Sequence, residues 1–203
     1  MKRIQLPIGP TVSFTIPLNP PPGGGVVHLG SIDGATMTPE IETAKYNGGM
    51  FIWAATEVEA RLSDLLAKAL FPTAKDGKIS PEGGFFRLHF LGASHLEFSG
   101  KLTIVCAMIE ERCLLPKKER LEFDQKLRAV MRYRNAFAHG KITYDSKHGC
   151  ILSYYTNGHK KDEFNDAFVE KLQDHYHAAV KAIEDLEKSL SKPWPDLAKL
   201  LGI

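Results

Sequence analysis

The sequence predicts a mainly α-helical protein, a bundle of four or five helices with minor β additions. Apolar residues recur every three or four positions through most of residues 39–190, as they do on the buried face of a helix. Alternation with period two is confined to short segments. With 203 residues, 43% hydrophobic and 25% charged, the chain suits one domain with a small appendage.

Composition excludes several classes of protein. Even the longest apolar runs, such as Met50–Ala55, are far shorter than the roughly 18 residues of a membrane span, and no apolar core marks a signal peptide. The three cysteines, Cys106, Cys113 and Cys150, lack CxxC spacing, which argues against a disulfide framework or a zinc site. We therefore expect a cytoplasmic protein with no membrane partner, no metal and no cofactor. The net charge of +2 indicates no partner by itself.

Residues 1–38 form an N-terminal arm in this interpretation. The run 12–16 alternates as a half-buried strand does, and 26–29 suits a second short strand. Between them, Asn19–Gly25 (NPPPGGG) fits no regular element. A phosphate-binding loop is the alternative, but no Gly-Lys-Ser/Thr follows, which favours a turn and linker.

The first helical pattern starts at Thr38, a candidate N-cap, with Pro39 at the first helical position. Gly48-Gly49 is expected to break or kink it. The next stretch, Phe51–Phe71, stops before Pro72. It carries one apolar stripe.

Two further helical regions follow. The region Pro81–Leu115 is expected in two pieces around Gly92 and Gly100, ending at Pro116. The next helix is expected to begin near Leu121 and to stop at Gly140, a glycine where a helix C-terminus commonly has one.

The period then changes to two. Residues 141–144 and 150–155 flank a loop at 145–149, a pattern that predicts a β-hairpin. A last helix is expected over 165–190. This divides the chain into the arm (1–38), a helical domain (39–192, with the hairpin at 141–156) and a tail (193–203).

One helix carries a charged residue on its apolar face. On a helical wheel of 121–139, Arg134 falls in the middle of the expected buried stripe. The stripe consists of Phe123, Leu127, Val130, Met131 and Ala138. A guanidinium there is costly unless a carboxylate pairs with it, or its stem reaches out to solvent at the bundle edge or into a cleft.

The run Arg134–Gly140 (RNAFAHG) resembles the signature of HEPN domains, in which four residues separate Arg from His. The preceding stretches, 57–62 (EVEARL) and 98–102 (FSGKL), agree with it, and the resemblance covers roughly residues 40–190. It implies a HEPN-like bundle that forms a homodimer, with both motifs facing one cleft. It also implies a metal-independent endoribonuclease, of the kind found in toxin–antitoxin, defence or RNA-stress systems, with RNA as substrate and an antitoxin as a further partner.

These residue types suit RNA cleavage. A histidine has the pKa for proton transfer near neutrality, so His139 is the expected general base or acid. Arg134 would stabilise the phosphate charge through two parallel hydrogen bonds. Asn135 would orient the imidazole or the phosphate. Positions five apart on a helix point about 140° away from each other, so the helix must loosen before Gly140 or a second copy must complete the site.

Charge around the motif adds candidate contacts. Between Lys117 and Arg134 the sequence has seven basic residues against three acidic ones, a net charge of +4. Such a segment attracts a phosphate backbone, and Lys126, Arg128 and Arg132 are the candidate RNA-binding residues, although a solvated helix face looks the same. HEPN sites often use a carboxylate from an earlier helix. Glu59, at the border of its apolar stripe, is the candidate to hold Arg134 or His139, and Glu57 is expected to face solvent.

Two other functions stay open. The first is a non-catalytic HEPN module that binds RNA, nucleotide or a protein. The second is a helical adaptor in which Arg134 has a structural ion pair. Toxins paired with a nucleotidyltransferase antitoxin carry Tyr two residues after the motif His. Here that position is Lys141, which argues against regulation by nucleotide transfer to such a tyrosine.

Overall fold

The computed structural model describes residues 2–4, 39–71, 78–92 and 96–190. Within them the fold is mainly helical with one small antiparallel sheet, which confirms the predicted fold class. The strands expected at 12–16 and 26–29, the loop between them and the tail from residue 193 lie outside the described residues. In the same described part, no helix is both long enough and apolar enough to cross a membrane.

The described residues contain five α-helices, a π-helical turn and three strands. The helices are α1 (Pro39–Leu70), α2 (Pro81–Phe86), which continues into the π-turn Arg87–Leu91, α3 (Phe98–Glu111), α4 (Lys117–His139) and α5 (Asp166–Leu190). The strands are β1 (Lys141–Asp145), β2 (Gly149–Tyr155) and β3 (His159–Glu163), paired in the order β1-β2-β3.

Helices α1 and α4 contact each other and both contact α3 and α5, so the core lies between these four helices. Its fully buried side chains include Leu62, Leu102, Leu127 and Leu172. The C-terminal end of α4 packs on the N-terminal half of α1, where Phe51 contacts the rings of Tyr133 and Phe137. The motif residues therefore lie at the end of the bundle where α1 begins.

The break predicted at Gly48-Gly49 is wrong, because α1 is one continuous helix of 32 residues. Gly48 is buried, and a Cβ atom there would lie 2.9 Å from Cδ1 of Phe137. The glycine thus gives α4 room to approach α1, a reason that no local pattern reveals.

The other boundaries differ in smaller ways. The break near Gly92 is present, but Gly100 lies within the first turn of α3 rather than at a break. Helix α4 starts at Lys117, directly after Pro116, instead of near Leu121. Its first turn, KKER, has no apolar residue, so the helical period could not be seen there.

The hairpin is confirmed, with Asp145 paired to Gly149 and only residues 146–148 in the turn. Oδ1 of Asp145 accepts hydrogen bonds from the backbone N–H groups of Lys147 (2.8 Å) and His148 (3.0 Å). Strand β3 was not predicted, because its sequence HKKDE has no apolar alternation.

Residues 2–4 are hydrogen-bonded to a buried side chain of α1. Asn47 is fully buried; its Oδ1 accepts from the N–H of Ile4, and its Nδ2 donates to the carbonyl of Lys2, both at 2.9 Å. Ile4 is buried in the core. An amide that both accepts and donates satisfies two backbone groups at once, as a neighbouring strand would.

The ring of Tyr133 lies at the contact between α4 and α5, where His175 stacks on it with the ring centres 5.6 Å apart. Nε2 of His175 is buried and has no hydrogen-bond partner among the described residues. Burial lowers the pKa of His175, as do the charges of Lys171 and Arg132, while Asp174 acts in the opposite direction. Folding therefore favours the neutral form of this imidazole.

This gives a pH-dependent stability. Because the folded pKa lies below the unfolded value of about 6.5, the contribution is fully present above pH 6.5 and is lost as the pH falls through the folded pKa. We expect the urea midpoint to drop between pH 7.5 and pH 5.5 by less in His175→Gln than in the wild type. The exposed His177→Gln is the matched control and should behave as the wild type; equal drops in all three proteins would contradict the prediction.

Candidate functional site

Helix α4 stays regular to its last residue. The N–H of Gly140 donates to the carbonyl of Ala136 at 2.8 Å, as in an unbroken helix. The expected end at Gly140 is confirmed, but its φ is −85°, so a left-handed conformation is not the reason for glycine here. A Cβ atom would collide with the carbonyl of Ala136 and lie 2.9 Å from that of Ser153, so the close passage of the chain into the sheet requires glycine.

The buried face of α4 differs from the predicted stripe. The prediction is right for Phe123, Leu127 and Val130, which are buried. Met131 and Ala138 are only half-buried, while Tyr133 and Ala136 are buried instead.

The neighbours of α4 change along its length. In the first half, Asp124 accepts a hydrogen bond from Sγ of Cys106 on α3, and in the second half, Tyr133 contacts the rings of Tyr154 on β2 and Phe168 on α5. Arg134 is consequently half-buried at the border rather than in the middle of the apolar face.

The opposite face of α4 aligns four of the predicted site residues. Exposed positions follow one another at spacings of three and four, which places them on one side of a helix. They are Leu121, Gln125, Arg128, Arg132, Asn135 and His139. The structure thus brings Arg128, Arg132, Asn135 and His139 together, whereas Lys126, two positions before Arg128, is exposed on another side.

Arg134 is joined to this face through its neighbour. Its Nη1 donates to Oδ1 of Asn135 at 3.0 Å, and no ion pair holds it within the described part of the chain. Of the two alternatives for its charge, the structure shows the one in which the stem is half-buried and the guanidinium reaches the surface. Since α4 does not loosen before Gly140, Arg134 and His139 point to different sides of one helix.

The cations of the exposed face are not equivalent. Arg128 is hydrogen-bonded through Nε to both carboxylate oxygens of Asp124, at 2.7 and 2.9 Å, so its charge is largely compensated. Arg132 has its guanidinium over the ring of Tyr133, 4.7 Å from the ring centre, and has no ion pair among the described residues. Arg132 is therefore the stronger candidate for an anion contact.

Glu59 lies elsewhere than predicted. Its carboxylate accepts a hydrogen bond of 2.6 Å from Nζ of Lys101, a residue only 5% exposed. No hydrogen bond or ion pair joins it to Arg134 or His139 within the described chain. Within one chain, the carboxylate of Glu59 compensates the positive charge of the buried Lys101.

The sequence predicts that Glu57 faces solvent, but in the structure Glu57 is half-buried. It accepts hydrogen bonds from Arg61, at 2.9 Å, and from the hydroxyl of Tyr176 on α5, at 3.0 Å. Burial and this hydrogen bond raise the pKa of Tyr176 to about 12. Glu57 therefore links α1 to α5 and is not part of the motif end.

The other reactive side chains lie apart from the motif or are inert. Cys150 is a buried residue of β2, and burial raises the pKa of its thiol, so it is a packing residue. Tyr154 donates its hydroxyl to Asp162 across the sheet at 2.8 Å, which fits cross-strand packing rather than base stacking. Among the described residues no three His, Cys, Asp or Glu side chains are grouped as metal ligands.

No family model, curated protein or solved structure matches this chain. The resemblance to HEPN domains therefore depends on residues 134–140 and their surroundings, and the function it implies is a proposal.

Proposed function

We propose that this protein is a metal-independent endoribonuclease of the HEPN class that acts as a homodimer. The observation that supports the proposal best is the C-terminal end of α4. There Arg132, Asn135 and His139 share an exposed face, and Arg134 is hydrogen-bonded to Asn135. A proton-transfer group, an orienting amide and two guanidinium groups lie within two turns of one helix.

The proposed reaction is transesterification within the RNA strand. A base takes the proton of a 2′-hydroxyl, the 2′-oxygen attacks the adjacent phosphorus, and the bond to the 5′-oxygen breaks as that oxygen gains a proton. The products are a 2′,3′-cyclic phosphate and a 5′-hydroxyl. His139 moves one of these protons, as base or acid, and Arg134 stabilises the negative charge that develops on the phosphate oxygens. Asn135 positions Arg134 through their hydrogen bond.

A second copy is needed to bring the two groups to one phosphate. Arg134 and His139 diverge by about 140° around α4, and the helix is regular up to Gly140. Two copies that pack through the ends of their α4 helices would place Arg134 of one opposite His139 of the other. Isologous contacts of this kind are the commonest in homodimers. The proposed physiological role is that of a cytoplasmic ribonuclease that acts as a toxin or in defence or stress. An antitoxin protein would inhibit it.

The test is cleavage of a mixed RNA pool in EDTA by the wild type and by His139→Ala. We expect the wild type to cut and the variant to be slower by at least about 100-fold, since a general acid or base contributes 10²–10⁴ in rate. Because His139 is exposed, the variant should stay folded, with an unchanged melting temperature. His159→Ala, an exposed histidine of β3, is the matched control and should cut as the wild type does.

Replacing the 2′-hydroxyl groups with 2′-O-methyl groups should abolish cleavage by the wild type, because the attacking oxygen is blocked. A folded wild type that leaves RNA intact would contradict the proposal, as would equal cutting by His139→Ala. Intact RNA together with tight RNA binding would instead support the non-catalytic HEPN module.

A further inference from the structure

Two positive charges lie over one aromatic ring at the contact between α4 and α5. The guanidinium carbon of Arg132 lies 4.7 Å and Nζ of Lys171 lies 5.4 Å from the centre of the Tyr133 ring. Tyr133 itself is only 2% exposed, whereas Arg132 and Lys171 are exposed. The buried ring thus has one cation from each of the two helices beside it.

The acidic groups around this site do not pair with these two cations. Asp162 accepts the hydroxyl of Tyr154, and Asp174 is near His175. Within the described residues no carboxylate forms an ion pair with Arg132 or Lys171. Two like charges over one ring repel each other, and an anion that contacts both would remove that repulsion.

The position of Arg132 and Lys171 relative to the motif indicates which anion would bind to them. Arg132 lies on the same exposed face of α4 as His139, two turns earlier, which is about 10 Å along the axis. A strand that presents a phosphate to His139 and continues along this face would bring a neighbouring phosphate to Arg132. Lys171 on the neighbouring helix α5 would contact the same phosphate.

We propose that Arg132 and Lys171 form a subsite for a backbone phosphate of single-stranded RNA, next to the phosphate that is cleaved. Both act as binding residues. Guanidinium and ammonium groups suit a phosphodiester, and Tyr133 holds them in place through cation–π contacts. The assignment of the phosphate to RNA depends on the proposed function.

The experiment measures binding of an uncleavable 2′-O-methyl RNA oligonucleotide across a range of salt concentrations. The variant Arg132→Ala/Lys171→Ala is compared with Lys147→Ala/Lys181→Ala, which removes the same charge at exposed positions of the hairpin turn and of α5. We expect the first variant to bind about tenfold more weakly, and the slope of log K against log salt to fall by about 0.7, the value for one phosphate of a single strand. The second should stay close to the wild type.

His175 provides a second readout that a general loss of charge would not give. Burial is the main cause of the lowered pKa of His175, and the charges of Lys171 and Arg132 lower it further, so an anion bound there should raise the pKa of His175 in an NMR titration. Titrations with the oligonucleotide and with inorganic phosphate separate an RNA subsite from a site for free phosphate. A pKa of His175 that both ligands leave unchanged would overturn the proposal, as would equal weakening of binding in the two double variants.

The outcomes separate this proposal from the proposed function. A protein that cuts RNA but loses no affinity in Arg132→Ala/Lys171→Ala would contradict the subsite alone. A protein that never cuts RNA but shows both the affinity loss and the His175 response would keep the subsite and exclude the ribonuclease.

Discussion

Replacing Phe51 with alanine is expected to lower the free energy of unfolding by about 3–5 kcal/mol, the usual cost of removing a buried phenylalanine ring. Phe51 is 1% exposed and contacts the rings of Tyr133 and Phe137, with centres 6.4 and 5.9 Å away. The lost ring would leave a cavity between α1 and the last turns of α4. Those turns carry the motif, so the variant should also cut RNA more slowly.

Trp53→Ala is the matched control for Phe51→Ala. It removes a larger ring two positions along the same helix, but Trp53 is 41% exposed. We expect it to cost about 1 kcal/mol or less, in the range of substitutions outside the core. Chemical denaturation gives both values. Similar losses in the two variants would contradict the packing described for the motif end.

Replacing Glu59 with alanine is expected to cost about 3 kcal/mol of unfolding free energy, because it leaves the ammonium of Lys101 buried without its carboxylate. The side chain of Lys101 is 6% exposed, and that of Glu59 is 22% exposed. The value is at the low end for a buried pair, since water can reach part of the site. Urea unfolding measures it.

The double variant Glu59→Leu/Lys101→Met distinguishes the charge from the packing. It removes both charges and keeps apolar volume, so it should recover most of the stability lost in Glu59→Ala. RNA cleavage by the double variant should equal that of the wild type. A stable double variant that no longer cuts RNA would show that Glu59 belongs to the catalytic site, as the sequence suggested.

The long periodic helices could be predicted from the sequence, and the exceptions have local causes. α5 and the second half of α1 have regular apolar stripes, and the structure has both helices. Strand β3 is polar throughout, so only its pairing with β2 makes it a strand. Gly48 lies in a helix because Phe137 packs on it, and a distant contact of this kind leaves no local signal.

Only those features of the candidate site that lie on a single helix could be predicted from the sequence. The motif helix and its end at Gly140 follow from the sequence, and four predicted residues share one exposed face. The partner of Glu59 did not follow, because Lys101 comes from another helix. Arg132 was among the predicted RNA-binding residues, but Lys171 was missed, since it lies 38 positions after Tyr133 and reaches the ring only in the folded bundle.

The most direct test of a composite ribonuclease site uses heterodimers purified through two affinity tags. One chain carries Arg134→Ala and the other His139→Ala, and cleavage is measured in EDTA beside each homodimer. If Arg134 of one chain works with His139 of the other, each homodimer is inactive, and the heterodimer keeps one intact pair and about half of the wild-type rate. Heterodimers as inactive as the two homodimers, beside an active wild type, would contradict the shared site. A folded wild type without cleavage would contradict the ribonuclease itself.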